Sequence, residues 1–196
     1  RKIMKMKPLS RAVWDGILTM PLVLPPTVAG FFLLLLFSLR RPFGKFLMES
    51  FDFKVVQTWK GCVIAATVIA FPLMYRNARA AFEQVDVNLI YAGQTLGMSD
   101  HKIFWKVIIP AAAPGIASGT VLAFARAIGE YGATSMLAGN ILGKTRTVSV
   151  AIAAETAAGN YDVAGFWVVV IVVISFVIVA LINIVSGRGM KSRRWI

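Results

Sequence analysis

Long apolar runs without charge alternate with short polar and basic segments along the chain. The uncharged runs cover residues 16–39, 107–125 and 163–187 and are 24, 19 and 25 residues long. A helix needs about 20 apolar residues to cross the hydrocarbon layer of a membrane. Because lipid offers the backbone no hydrogen-bond partners, such segments are helical. The pattern therefore predicts an all-α integral membrane protein.

A fourth run, residues 61–75, has 15 uncharged residues, and Trp59 and Lys60 before it can lie at the interface and lengthen it. We therefore expect four visible spans in one domain covering residues 1–196. Their expected positions are about 16–39, 57–75, 107–129 and 163–187. Residues 147–158 are mildly apolar but too short to cross, so we expect a short helix in the outer half of the membrane.

The net charge of +12 first suggests a nucleic-acid partner, but the positions of the charges indicate membrane orientation instead. With residues 1–11 in the cytoplasm, four spans place residues 76–106 and 188–196 on the same side. These three segments hold 5, 4 and 4 Lys or Arg residues, against 7 on the opposite side. Positive residues stay on the cytoplasmic side during insertion. No nucleic-acid partner is expected.

The spans contain very few titratable groups. Arg126 and Glu130 are the exception, and because they are four residues apart they can pair on one helical face. A structural ion pair is the favoured interpretation, and a place for Arg126 beside an anion path is the alternative. Coupled carriers usually place carboxylates or histidines inside their spans. The scarcity here indicates that another subunit supplies the energy.

Two further features indicate no chemistry of their own. The lone Cys62 can form no internal disulfide and has no metal-ligand spacing around it. The stretch AGNILGKT, residues 138–145, is similar to a phosphate-binding loop, but a membrane helix precedes it where the motif requires a strand. We interpret it as a turn. No catalytic, cofactor-binding or metal-binding residue is predicted.

A polar segment, Tyr91–Pro110, interrupts the apolar pattern. We expect an amphipathic helix over residues 80–91, ended by Gly97 in a left-handed conformation. Ser99 is expected to cap a second short helix, which ends at Pro110 where the next span begins. The two helices would lie on the cytoplasmic face. The residues alone leave two roles open, a docking element for a soluble partner and an interfacial loop.

Four positions of this segment match a known pattern. The spacing G-x9-[IV]-x-[LI]-P, at Gly97, Val107, Ile109 and Pro110, resembles the EAA loop of permease subunits in binding-protein-dependent ABC importers. Residues 91–93 occupy the EAA triplet but keep only its central alanine, which puts a role for the first acidic residue in doubt. Further stretches resemble the molybdate transporter permease family, and they are residues 21–37, 71–86 and 121–152.

The resemblance implies a MetI-like helical bundle in a bacterial or archaeal cytoplasmic membrane. It implies two permease copies, two cytoplasmic ATP-binding subunits and an extracytoplasmic molybdate-binding protein, with the permease itself no enzyme. Family members have at least one span before the basic segment, and the chain begins with Arg1, so a truncated start is expected. The coupling loop is expected over about residues 77–106. Its expected contact residues are Tyr91, Ala92, Gly93, Gly97, Ser99, Phe104, Val107, Ile109 and Pro110.

The translocation pathway is expected to be weakly polar, because a strong fixed site would trap a dianion. The Pro25-Pro26 pair breaks a span and can line the path or serve structure alone. Gly115 and Gly119 form a GxxxG pattern expected in close helix packing. The expected lining residues are Pro25, Pro26, Thr27, Ser118, Thr120, Arg126, Glu130, Thr134 and Ser135. Alternatives to molybdate transport are a permease for tungstate or sulfate and a membrane scaffold that transports nothing.

Overall fold

Helices form the regular secondary structure of this computed structural model, which describes residues 7–191. The expected all-α class is therefore present. Among the described residues the α-helices are α1 (Pro8–Val23), α2 (Pro26–Phe37), α3 (Pro42–Phe51), α4 (Trp59–Glu83), α5 (Val87–Thr95), α6 (Asp100–Ile103), α7 (Ile109–Ile128), α8 (Gly132–Ala138), α9 (Val148–Ala157) and α10 (Tyr161–Lys191).

Three helical segments of the described chain are long and apolar enough to cross a membrane: Trp59–Glu83, Asp100–Ile128 and Tyr161–Ile182. The expected first span, residues 16–39, is not one straight helix. Its two halves, α1 and α2, meet at a bend of 111°. Pro25 and Pro26 cannot donate backbone hydrogen bonds, so the helix ends before them and α2 starts at Pro26. Four spans result only if this bent pair is counted as one.

The expected helix over residues 80–91 is wrong in its bounds. Helix α4 continues to Glu83, so residues 77–83 of the expected coupling loop still belong to this long helix. Helix α5 then begins at Val87, and the Asp86 side chain accepts a 2.9 Å hydrogen bond from the backbone N–H of Asn88. An aspartate in this position satisfies an amide that has no partner inside the helix. The amphipathic pattern continues across residues 84–86 and therefore did not indicate the break between α4 and α5.

The second expected helix does not end at Pro110. Helix α6 leads through a π-helical turn, Phe104–Ile108, directly into α7, so the helical segment is continuous over Asp100–Ile128. Pro110 has no N–H to offer the carbonyl four residues before it, and the wider turn lies just before this proline. The last residues of the expected coupling loop are thus part of this long apolar helix.

The described chain divides into two compact units. The unit made of Met20–Pro72 and Phe124–Ile178 contains a core where α2 and α8 pack closely. A Cβ atom added at Gly30 would lie 2.6 Å from the Cα atom of Ala133, so only glycine permits this approach. The buried core residues are Ala29, Val55, Ala65, Ile69, Ala133 and Leu137.

The other unit contains residues 7–19, Leu73–Ala123 and residues 179–191. Here the GxxxG pattern of α7 packs against the last turns of α4. A Cβ atom at Gly115 would lie 2.6 Å from the Cβ atom of Ala81, and one at Gly119 would lie 2.6 Å from that of Asn77. The close packing expected of this pattern is present, and it joins two helices of the same chain.

Candidate functional site

The bend after α5 has the conformation that the sequence predicts. Gly97 has a φ of 70° and donates its N–H to the carbonyl of Gln94 at 2.9 Å. The N–H of Met98 reaches the carbonyl of Gly93 at 3.1 Å. This pair of bonds is a Schellman motif, which ends a helix at a left-handed glycine. The Ser99 hydroxyl then accepts the N–H of Lys102 at 3.5 Å and caps α6, as expected.

Helices α5 and α6 pack on each other through small and apolar side chains. A Cβ atom at Gly93 would lie 3.1 Å from the Cγ1 atom of Ile103, which is fully buried. The π-helical turn also approaches α4, because the ring centroids of Phe104 and Phe82 are 6.4 Å apart. Of the expected contact residues, Tyr91, Ala92, Gly97 and Ser99 are exposed, Phe104, Val107, Ile109 and Pro110 are half-buried, and Gly93 is buried.

Several large apolar side chains are exposed along the expected coupling loop. Its large exposed side chains are Val87, Leu89, Tyr91, Leu96 and Trp105, with Leu96 80% exposed. Within the described chain these side chains leave much of their surface uncovered. Large apolar side chains exposed in a polar loop are typical of a site that a protein partner or the membrane interface covers.

The expected pairing of Arg126 with Glu130 is present. An Nη1 atom of Arg126 lies 2.7 Å from Oε2 of Glu130, without hydrogen-bond geometry, and the Glu130 side chain is 1% exposed. Its other oxygen, Oε1, accepts the N–H of Ala133 at 2.7 Å. Glu130 thus closes the start of α8 while holding an arginine at the end of α7. The Arg126 side chain remains 31% exposed.

The other expected pathway residues differ in exposure. Thr27, Ser118 and Thr120 are exposed, whereas Thr134 is 1% exposed and its hydroxyl is closed off from solvent in this structure. The hydroxyls of Ser118 and Thr120 bond to backbone carbonyls one helical turn earlier. Pro25, Pro26, Thr27, Arg126, Glu130, Thr134 and Ser135 lie in one compact unit, and Ser118 and Thr120 lie in the other.

Residues 139–147 form a turn between α8 and α9, and no strand precedes it in the described chain. The turn expected here is present. Arg146 bonds to Glu155 of α9 at 2.9 Å, and the Asn160 side chain donates to the other carboxylate oxygen at 2.9 Å. The hydrogen bond from Asn160 and then the guanidinium of Arg146 hold the pKa of Glu155 below its usual value. The short helix α9 was predicted from the sequence.

A polar cluster near the end of α4 was missed by the sequence reasoning. The Asp15 carboxylate of α1 accepts hydrogen bonds from the Tyr75 hydroxyl and from Nη1 of Arg79. Arg79 also bonds through Nε to Glu83 at 2.9 Å. These side chains line a cavity of about 480 Å³. A signal existed: Asp15 is the only acidic residue among the first 48.

The family model described as "Binding-protein-dependent transport system inner membrane component" matches residues 3–187. The chain belongs to this family. The description of the family names an inner membrane component. The three long apolar helices of the described chain agree with a membrane location.

Relatives named for molybdenum transport are similar over much of the chain. YvgM of Bacillus subtilis (strain 168), named as a candidate molybdenum transport system permease, is 44% identical over 84% of this chain and 72% of its own length. The molybdenum transport system permease protein ModB of Escherichia coli (strain K12) is 45% identical over 72% of this chain. The chain spans 62% of the length of that ModB.

A relative named for another oxyanion is also similar. The sulfate transport system permease protein CysT of Salmonella typhimurium is 34% identical over 91% of this chain and 64% of its own length. These relatives are thus named as permeases for molybdenum and for sulfate. Such transport permease subunits are not enzymes themselves.

Proposed function

We propose that this chain is the membrane permease subunit of an ATP-driven importer for molybdate in a bacterial or archaeal cytoplasmic membrane. The observation that carries the proposal is the identity of 44–45% with the two molybdenum permeases over most of the chain. Transport of sulfate is the second candidate, because CysT is 34% identical over a still larger share of the chain. Tungstate remains an alternative cargo, since it is a tetrahedral dianion like molybdate.

The proposed partners are those that a binding-protein-dependent, ATP-driven importer needs. Two cytoplasmic ATP-binding subunits would hydrolyse ATP, a second permease copy would complete the pathway, and an extracytoplasmic binding protein would deliver the oxyanion. Alternating access needs an equilibrium between two conformations that the ATPase shifts by contacting them differently. The exposed apolar side chains of α5 and the left-handed bend at Gly97 support docking of the ATPase on this segment.

Arg126 is our proposed attractor for the anion near the outer end of the pathway. Its guanidinium is held by buried Glu130 yet remains 31% exposed, so part of it can meet an anion. The test compares Arg126→Ala with Arg126→Lys at matched protein level. Lysine should retain much of the uptake that alanine loses. If both variants lose protein instead, the ion pair serves the fold alone.

Uptake of labelled molybdate by cells tests the proposed cargo. Cells that carry this permease with its ATPase and binding protein should take up molybdate, and unlabelled tungstate should compete. Sulfate in large excess should compete weakly if molybdate is the cargo and strongly if sulfate is. Cells without the permease are the control. A permease that assembles with its partners yet supports no oxyanion uptake would reduce the chain to a scaffold.

A further inference from the structure

The cavity between α1 and α4 is lined mainly by charged and hydroxyl side chains. Two arginines and two carboxylates surround it, together with the hydroxyls of a tyrosine and a threonine. The cavity measures about 480 Å³ and lies within one compact unit. Its principal lining residues are Asp15, Thr19, Tyr75, Arg76, Arg79 and Glu83. Tyr75, Arg76, Arg79 and Glu83 lie at the end of α4 that the charge pattern predicts to be cytoplasmic.

Two of the donors in this cavity, Tyr75 and Arg79, already bind an anionic group of the same chain, the carboxylate of Asp15. The Tyr75 hydroxyl donates to Oδ1 of Asp15, and Arg79 donates to Oδ2. Guanidinium and hydroxyl groups arranged in this way bind carboxylates and tetrahedral oxyanions alike, because both present negative oxygens to N–H and O–H donors. Asp15 thus occupies a receptor that a free oxyanion could also use.

The positive charge of Arg76 can attract a free oxyanion in addition to the Asp15 carboxylate. This arginine lines the cavity and is exposed, and no carboxylate of the described chain lies within ion-pair distance of it. Arg79, by contrast, contacts both Asp15 and Glu83. An incoming dianion would therefore meet Arg76 first and then compete with Asp15 for Arg79 and Tyr75.

We propose that this cavity is a transient receptor for the transported tetrahedral oxyanion, in which the cargo exchanges with the Asp15 carboxylate. This inference rests on the proposed function. Because Asp15 is attached to the same chain, it competes at a high effective concentration and keeps cargo binding weak. Weak binding suits transport, since an ion must leave a site as readily as it enters. The exchange would also loosen the contact between α1 and α4.

The test measures protection of a cysteine in the cavity. In the assembled transporter, purified in detergent with Cys62→Ser, the variant Ala80→Cys places a thiol on the cavity wall. A neutral maleimide reports its reactivity. Sodium molybdate and sodium sulfate should slow labelling in a saturable way, and sodium chloride at equal ionic strength should not. Equal protection by chloride would mean charge screening and would overturn the proposal.

Charge variants give the sharper result. Asp15→Asn should lower the molybdate concentration for half-protection about tenfold, the effect of one charge-assisted hydrogen bond. Arg76→Gln and Tyr75→Phe should raise it. Glu49→Gln removes one exposed carboxylate elsewhere and should change nothing. Unchanged half-protection in both Asp15→Asn and Arg76→Gln would refute the receptor.

A lipid phosphate is the other source of the same chemistry. Anionic phospholipid added without molybdate should leave the thiol reactive. If the lipid alone protects and molybdate cannot displace it, the cavity holds a headgroup and the cargo assignment is wrong. Normal cellular uptake without cysteine protection would defeat this inference and leave the proposed function standing. Protection without uptake would defeat the proposed function, and the cavity would then be an oxyanion site with no part in transport.

Discussion

Replacing Gly97 tests the backbone bend after α5 without adding new side-chain contacts. The φ of 70° is one that L-residues disfavour, and a Cβ atom built there would meet no heavy atom within 4 Å. The cost of a side chain is therefore backbone strain alone, about 1–2 kcal/mol for alanine. Asparagine tolerates this conformation better, and a β-branched valine tolerates it worst. A cost of this size shifts a conformational equilibrium by about 5–30-fold.

The assay follows uptake and co-purification of the ATPase subunits for Gly97→Asn, Gly97→Ala and Gly97→Val at matched membrane levels. We expect both readouts to fall in that order, with alanine reducing them by up to about 30-fold. Gly16→Ala in α1, where a Cβ atom also meets nothing within 4 Å, is the matched control and should behave as the parent. Normal import and normal co-purification with Gly97→Val would refute the reasoning.

Three further predictions address packing, charge and topology. Gly115→Leu should destabilise the purified protein by about 1–3 kcal/mol or more, because its Cβ atom has no room, whereas Gly16→Ala should not; equal melting temperatures would contradict this. The interactions that lower the pKa of Glu155 stabilise the fold at pH values above its unfolded-state pKa, and this stabilisation is lost as the pH falls through the folded-state pKa. Glu155→Gln should therefore lower the melting temperature at pH 7, by a difference that disappears at acidic pH. An impermeant thiol reagent should label Leu142→Cys from outside intact cells but not Asp100→Cys, and the reverse pattern would invert the orientation.

Helix ends, caps and short-range ion pairs could be predicted from the sequence, because neighbouring residues determine them. A glycine followed two residues later by a serine predicted the bend at Gly97 and the cap at Ser99, because each depends on backbone groups only a few residues away. The spacing of Arg126 and Glu130 likewise predicted their ion pair. The short helix α9 followed from a brief apolar run. None of these features depends on distant parts of the chain.

Features that depend on a choice between similar local signals were predicted less well. The amphipathic pattern continues through residues 84–86, yet α4 ends before them and Asp86 caps a new helix. Pro110 was expected at a helix boundary, but a π-helical turn carries the helix past it. A proline can end a helix or be accommodated within one, and packing against neighbouring segments decides between these outcomes.

Contacts between distant residues could not be predicted at all. Asp15 and Tyr75 are 60 residues apart, and nothing in their spacing indicates that α1 and α4 meet. The buried position of Glu130 also escaped prediction, because it depends on α8 packing against the rest of its unit. Asp15 is the only acidic residue among the first 48, but its partners became apparent only from the fold.

Accumulation of molybdate in proteoliposomes tests the central claim most directly. The permease is reconstituted with its ATPase subunits, the loaded binding protein is added on the outer side, and ATP is supplied on the side of the ATPase. We expect accumulation of labelled molybdate that requires ATP, the binding protein and the permease together. Molybdate movement that is equal with and without ATP, or no accumulation by a fully assembled complex that hydrolyses ATP, would contradict it.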